Sequence, residues 1–360
     1  MNEANKTALE LVANNKGILA ADESEPTMKK RFNAVGVEST EKNRLDYRSA
    51  LFSTPDLENY ISGIILFDET ARQTIEGTPI PEFLSSKGII PGIKVDQGAK
   101  PMAGHHPSQK ITAGLDSLRE RLSEYKEMGL RFTKWRAVFT VNPHYATVSA
   151  NAWALAEFAT RSQEAGLTPI VEPEVLMDGT HSLVEAYETI DWVLREVFYA
   201  IKSSRTALNS MILKVNMVMP GYDAKEQVDP DVVASNTLIA LRRNVPVAVP
   251  GIAFLSGGQS DDNAVEHLKL MNKMAGRYPP WALSFSYGRA LQRDALKIFS
   301  VGGVGVPGKY LSRLQDKLLE RAKACHQACK AKNPSLTDVL TKLNEETESP
   351  KSPLAELDDF

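Results

Sequence analysis

The chain has 360 residues, 42% apolar and 24% charged, with a formal net charge of −3. That apolar content allows a large buried core and excludes global disorder, and the charge balance leaves no cationic field for nucleic acid. An anionic ligand would need a local cluster of basic residues. The two cysteines, Cys325 and Cys329, lie four apart on a predicted helix, which argues against a disulfide framework. The histidines at 105, 106, 144, 181, 267 and 326 follow no HExxH or CxxC pattern, so neither a metal nor a cofactor is expected. The opening MNEANKTALELVANNKG mixes acids and amides with apolar residues. It predicts neither a signal peptide nor a membrane span, and a cytoplasmic location is the expectation.

Eight short, β-rich apolar runs follow in order: 17–22, 61–68, 88–96, 131–139, 167–176, 211–218, 247–255 and 281–288. Each is bounded by Gly, Pro or polar residues, as a fully buried parallel strand should be. The segments between them carry helical periodicity, for example 115–129 and 150–166, both ending at Gly. Strand–helix alternation repeated eight times predicts a single (β/α)8 TIM barrel. A doubly wound sheet is the rival, but GILAADES after the first run carries no GxGxxG. Residues 309–333 predict a C-terminal helix with an apolar stripe, so that 1–333 form the barrel and 334–360 a mobile tail, with a short helix around Leu336–Leu343.

The anomaly is charge inside the apolar runs. Asp22 ends the first; Lys94 and Asp96 lie on the third, Lys134 and Arg136 on the fourth, Glu172 and Glu174 on the fifth, Lys214 on the sixth. Spacing of two places both members of each pair on one face of a strand. Pointing outward, they would be ions under the helices, costing several kcal/mol each. Pointing inward, they converge on the C-terminal mouth, where such barrels keep their active sites. The structural alternative, an ion-pair network between strands and helices, fits one pair better than this set. Arg289 beyond the eighth run tips the mouth positive. The segments GIAFLSGGQS and FSYGRAL follow runs seven and eight, where a phosphate can be cradled on backbone N–H groups. Lys94 and Arg136 lie across the mouth from them, and two separated anion anchors suit a substrate phosphorylated at both ends.

A lysine must be neutral to attack a carbonyl, yet its ordinary pKa is ~10.4. Burial and a second cation both disfavour the ammonium form. Lys214, in the apolar run MILKVNMV, is the candidate nucleophile, and Lys134 the second cation. Loss of water from the carbinolamine needs a proton, which Glu172 or Glu174 would supply if burial raises its pKa. Asp22 is left for a separate acid–base task. These residues point to phosphosugar chemistry through an imine, which transaldolase-like and deoxyribose-phosphate-aldolase-like enzymes also satisfy.

The strings LAADES, GIKVDQG, FTKWR, PIVEPE, LKVNMV, FLSGGQS and WALSFSYGRAL, in order between about residues 16 and 299, closely resemble class I fructose-1,6-bisphosphate aldolases. The resemblance implies cleavage of fructose 1,6-bisphosphate to dihydroxyacetone phosphate and glyceraldehyde 3-phosphate, with Lys214 forming the Schiff base. It implies Glu172 as proton shuttle, Glu174 and Lys134 as positioning groups, and Asp22 handling the proton of the C4 hydroxyl. Arg289, Ser256, Gly257 and Gly288 would hold one phosphate. Lys94, Arg136, Ser24 and Thr27 would approach the other, with Ser286 and Arg31 in support. The same resemblance favours a homo-oligomer, tetramer or dimer. Related specificities for sedoheptulose bisphosphate or fructose 1-phosphate, and a non-catalytic scaffold, are the alternatives. A metal-dependent aldolase would require a histidine cluster, and no predicted strand contains a histidine. The chain departs from the family at Glu25-Pro26 after Ser24, at Val215 after the lysine, and at Gln97. Its last residue is Phe360 where many relatives have Tyr, so cleavage is expected to survive while proton exchange on the enamine slows or uses another group.

Overall fold

In the computed structural model, residues 2–276, 279–302 and 308–331 are described. Each apolar run contains one strand: β1 Gly17–Ala21, β2 Ile61–Leu66, β3 Ile90–Lys94, β4 Phe132–Phe139, β5 Thr168–Val175, β6 Ile212–Val215, β7 Gly251–Phe254 and β8 Ala282–Tyr287. All pair in parallel with their chain neighbours, and β8 returns to β1 to close the barrel. Residues 99–112 add a small hairpin after β3, and His105 and His106 fall in its turn.

Strand parity sorts the interior. Ile18, Ala20, Ile65, Ile90, Phe132, Ile170, Ile212 and Ala253 form one apolar cluster inside the barrel, and the larger cluster lies between strands and helices. The helix α1 (Glu3–Leu11) plugs the N-terminal end, adding Ala8, Leu11 and the following Val12 to the interior cluster. Two residues further along the same strands come Asp22, Lys134, Glu172 and Lys214. Because side chains alternate with period two, they share the inward face of Ala20, Phe132, Ile170 and Ile212. The lower half of the barrel is therefore hydrocarbon and the upper half ionic. Gly92 on β3 shows how tightly the lower half is filled, since a Cβ there would run into the Phe132 ring.

The outer helices that matter below are α2 (Glu25–Asn33), α3 (Glu41–Phe52), α4 (Asp68–Ala71), α5 (Ile80–Ser86), α6 (Leu118–Glu127), α7 (Tyr145–Glu164), α8 (Leu183–Ser203), α9 (Pro230–Asn244), α10 (Asp261–Ala275), α11 (Arg289–Gly302) and α12 (Gly308–Lys330). The helix expected at 150–166 starts at Tyr145, because the His144 side chain accepts the Ala146 N–H and caps it earlier. The helix expected at 115–129 is shorter, since Ser117 sits at φ +50 and delays its start. Helix α12 buries Leu314, Leu318, Ala322, Cys325 and Cys329 against α10, α11 and α3. Burial pushes both thiols up, Cys329 to about 12, so they behave as small apolar groups. The expected tail at 334–360, with Phe360, lies outside the described residues. Among the described residues no helix is long and apolar enough to cross a membrane.

Phe132→Ala would open a void under the ionic layer. We expect a loss of about 3–5 kcal/mol in urea unfolding; a loss below about 1 kcal/mol would mean the ring does not fill the barrel.

Candidate active site

Asp22 follows β1, Lys134 is the third residue of β4, Glu172 the fifth of β5, and Lys214 the third of β6. Their side chains meet as a chain of ion pairs across the barrel. Lys134 Nζ lies 2.8 Å from Asp22 Oδ2 and 2.8 Å from Glu172 Oε2, and Lys214 Nζ lies 3.2 Å from Glu172 Oε1. All four residues are buried. Burial is the largest influence on Asp22, Lys134 and Glu172, and by itself it opposes their charge. The neighbouring opposite charges outweigh it. Lys134 and Lys214 hold the Asp22 carboxyl well below the carboxylate range and also hold Glu172 down, while Asp22 and Glu172 push the Lys134 ammonium up.

This corrects the expectation that burial raises Glu172 towards neutrality. Two ammonium groups touch it, so it rests as a carboxylate. The proposed effect of Lys134 on Lys214 is also altered, because Glu172 stands between the two amines and Asp22 takes the other side of Lys134.

A cavity of about 650 Å³ opens above this chain. It is lined by Lys214, Glu172, Asp22, Lys134, Glu174, Arg289, Ser256, Gly257, Gly288, Ser286, Lys94, Arg136, Ser24, Thr27 and Arg31, so every residue singled out from the sequence faces one space. On the β3–β4 wall the cations are already paired. Lys94 Nζ lies 2.6 Å from Asp96 Oδ1, the Arg136 guanidinium contacts Glu174, and Asp96 Oδ2 accepts the Arg136 N–H at 3.2 Å. At the start of α2, the Ser24 and Thr27 hydroxyls lie 3.1 Å apart.

The β7–β8 wall is different. Leu255 N–H donates to the Val215 carbonyl at 3.0 Å, which holds the Ser256-Gly257-Gly258 loop beside β6 and Lys214. Arg289 opens α11 and its guanidinium donates to the Gly257 carbonyl. Burial lowers the Arg289 pKa from its very high ordinary value, which leaves it a cation at working pH. The Ser286 hydroxyl is 1% exposed and without a hydrogen-bond partner among the described residues. A buried hydroxyl aimed into a polar cavity calls for a ligand oxygen or water.

Sequence reasoning missed Glu23, Lys30 and Gln259. Glu23 and Lys30 line the cavity; Glu23 pairs with Arg31 and accepts from Gln292 Nε2 at 3.2 Å. Lys30 was legible, since it lies three residues after Thr27 and so on the same helix face. Gln259 steadies the glycine loop from behind, its Oε1 2.7 Å from Nδ1 of the buried His267. Among the described residues no group of three or more His, Cys, Asp or Glu is placed to hold a metal.

Comparison with known proteins adds four findings. A family model described as "Fructose-bisphosphate aldolase class-I" matches residues 3–348. A probable class 1 fructose-bisphosphate aldolase of Xylella fastidiosa is 48% identical over 322 residues, 88% of this chain and 94% of that one. The cytosolic fructose-bisphosphate aldolase 4 of Arabidopsis thaliana is 43% identical over 330 residues, 89% of this chain and 82% of its own length. A solved structure of the Plasmodium falciparum fructose-bisphosphate aldolase, in complex with TRAP and an inhibitor, superposes with a TM-score of 0.88 at 42% identity, covering 92% of this chain and 95% of that one.

Burial depresses the His267 pKa from 6.5 to about 4. The unfolded chain then binds a proton that the folded chain refuses, so stability falls as pH drops from about 6.5 to about 4 and levels off below. His267→Gln should flatten the urea-unfolding stability profile across that window by up to about 1.4 kcal/mol per pH unit; an unchanged slope would mean His267 is protonated in the fold.

Proposed function

We infer the reaction from one premise: the chain belongs to the class I fructose-bisphosphate aldolase family. It is a lyase, cleaving fructose 1,6-bisphosphate reversibly to dihydroxyacetone phosphate and glyceraldehyde 3-phosphate through a lysine Schiff base, a step of glycolysis and gluconeogenesis. The residue roles are our own reading, and the observation that carries them is the buried chain Asp22–Lys134–Glu172–Lys214.

In this reading the resting carboxylate of Glu172 first takes a proton from the Lys214 ammonium. The free amine adds to the C2 carbonyl, and a proton passes from nitrogen to oxygen to give a neutral carbinolamine. Glu172 returns its proton to the hydroxyl, which leaves as water, and the protonated imine forms. The C3–C4 bond then breaks: Asp22 accepts the C4 hydroxyl proton, the C4 aldehyde departs, and the electron pair moves into the imine to give an enamine. Protonation at C3 and hydrolysis release the triose phosphate and restore the lysine. The ammonium of Lys134 stays charged throughout, because at each step at least one of its two neighbouring carboxylates remains ionised, and at rest it offsets the repulsion between Asp22 and Glu172. Because Lys134 makes Asp22 a weak base, cleavage relies on the electron sink at C2 to acidify the hydroxyl.

The loop after β7 sits one strand from Lys214, so the phosphate on the carbon next to C2 goes to Ser256, Gly257, Gly288, Ser286 and Arg289. The other phosphate goes to Lys94, Arg136, Ser24, Thr27 and Arg31. Two separate anchors favour a bisphosphate over fructose 1-phosphate; sedoheptulose bisphosphate is the competing substrate. We further propose residues 1–333 as the catalytic unit with 334–360 as an appended tail, and a cytosolic homo-oligomer, dimer or tetramer. Exposed Trp153 and Tyr199 on the outer faces of α7 and α8 support the oligomer. Neither a nucleic acid nor a membrane is a proposed partner.

Borohydride reduction with dihydroxyacetone phosphate should leave a stable adduct that peptide mapping assigns to Lys214. An adduct elsewhere would sink the assignment. Lys214→Met should lower turnover by several orders of magnitude, and Glu172→Gln by about 10²–10⁴ through slow loss of water. Arg289→Ala should act chiefly on KM for phosphorylated substrate, and an unchanged KM would contradict its role.

A further inference from the structure

The glycine loop after β7 is held from behind by a residue outside the cavity lining. The Tyr222 hydroxyl accepts the Gly258 N–H, and the same oxygen lies 3.8 Å from Met177 Sδ. Tyr222 belongs to the segment after β6, which is itself strapped to the segment after β5. Its N–H donates to the Met177 carbonyl at 3.0 Å, and the Asp223 N–H donates to the Gly179 carbonyl at 3.0 Å. Gly257 sits at φ +55, and a Cβ there would run into Met177, while one on Gly258 would run into the Tyr222 hydroxyl. The backbone is thus pressed against these two side chains, and only glycine fits.

Neither Tyr222 nor Gly258 lines the cavity, whereas Ser256 and Gly257 do. Two side chains therefore grip the loop from opposite sides: Arg289 donates to the Gly257 carbonyl, and the Tyr222 hydroxyl accepts the Gly258 N–H. Among the described residues the Gly257 N–H has no internal acceptor, so it remains available to a ligand. An arriving phosphate competes for Arg289 and weakens that grip. It leaves the Tyr222 contact intact.

We propose that Tyr222 is a positioning residue for the phosphate anchor: by taking the Gly258 N–H it fixes the loop with the Gly257 N–H directed at the phosphate nearest the Schiff-base carbon. Burial raises the phenol pKa, so the hydroxyl stays protonated and serves as a neutral acceptor at working pH. The inference rests on the assignment of Lys214 as the imine-forming amine.

The test uses the full chain, borohydride labelling at fixed time, and two probes: dihydroxyacetone phosphate and unphosphorylated dihydroxyacetone. Tyr222→Phe keeps the ring on Met177 and removes only the oxygen. Loss of one hydrogen bond predicts that the variant needs about five-fold more dihydroxyacetone phosphate for half-maximal labelling of Lys214. Labelling by dihydroxyacetone, the labelling plateau and the thermal midpoint should match the parent. An unchanged requirement for the phosphorylated probe overturns the proposal, as does an equal loss with both probes, which would make the contact merely structural. If the parent chain itself forms no adduct at Lys214, the assignment of the nucleophile fails first, and that result is distinct from either outcome for Tyr222.

Discussion

The structure depends on keeping four ions inside a closed barrel. An unpaired buried charge costs several kcal/mol, and removing one partner of a buried pair is destabilising by about 3–5 kcal/mol. Two amines and two carboxylates, alternating Asp22–Lys134–Glu172–Lys214, avoid that cost because each charge has an opposite neighbour near 3 Å. The alternation also sets the chemistry. Lys214 is the terminal member, touching only one carboxylate of the chain, so its proton can be removed while both carboxylates keep Lys134 as their paired cation. Lys134, with a carboxylate on each side, is the least able to give its proton up.

This arrangement needs dry walls below it. Phe132, Ile170 and Ile212 lie directly beneath Lys134, Glu172 and Lys214 on the same strand faces, and α1 closes the bottom. Water entering from the N-terminal end would screen the pairs and compete for the amine. The apolar plug and the ionic layer are therefore one device, written along each strand as an apolar residue followed two positions later by a charged one.

That period-two pattern is why the barrel and the cavity lining were legible in the sequence. Lys134/Arg136 and Glu172/Glu174 can share a face only by spacing of two, and apolar flanks fix the face as interior. What spacing did not carry was distance between strands. The protonation state of Glu172 turns on having two ammonium groups within about 3 Å, one from β4 and one from β6, and no single-strand reading reports that. Glu23 was hidden by its neighbour Asp22: strand alternation would turn it away from the cavity, but both residues lie past the end of β1 and line it. Tyr222 was invisible for another reason. It lies in an irregular segment after β6, where no periodicity exists and where its partner Gly258 is 36 residues away.

The two proposed phosphate anchors differ in kind, and the departure at Glu25-Pro26 sharpens the difference. On the β7–β8 wall the donors are backbone N–H groups, a buried hydroxyl and Arg289, and none of them makes an ion pair with a carboxylate among the described residues. On the other wall Lys94 and Arg136 are committed to Asp96 and Glu174. The start of α2 would ordinarily add free N–H groups and a positive helix end. Here Pro26 supplies no N–H, and Glu25 places a negative charge in the first turn. The side-chain hydroxyls compensate. Ser24 occupies the N-cap position yet makes no cap hydrogen bond, so its oxygen remains paired with Thr27 at the cavity edge. In the proposed reading a phosphate on this side is held by hydroxyls, by Lys30 and by cations released from their carboxylates, whereas the phosphate beside the reacting carbon meets a preformed cradle. On that reading tight positioning falls where the bond chemistry requires it, next to Lys214, and looser binding falls at the far end, where the aldehyde product would depart.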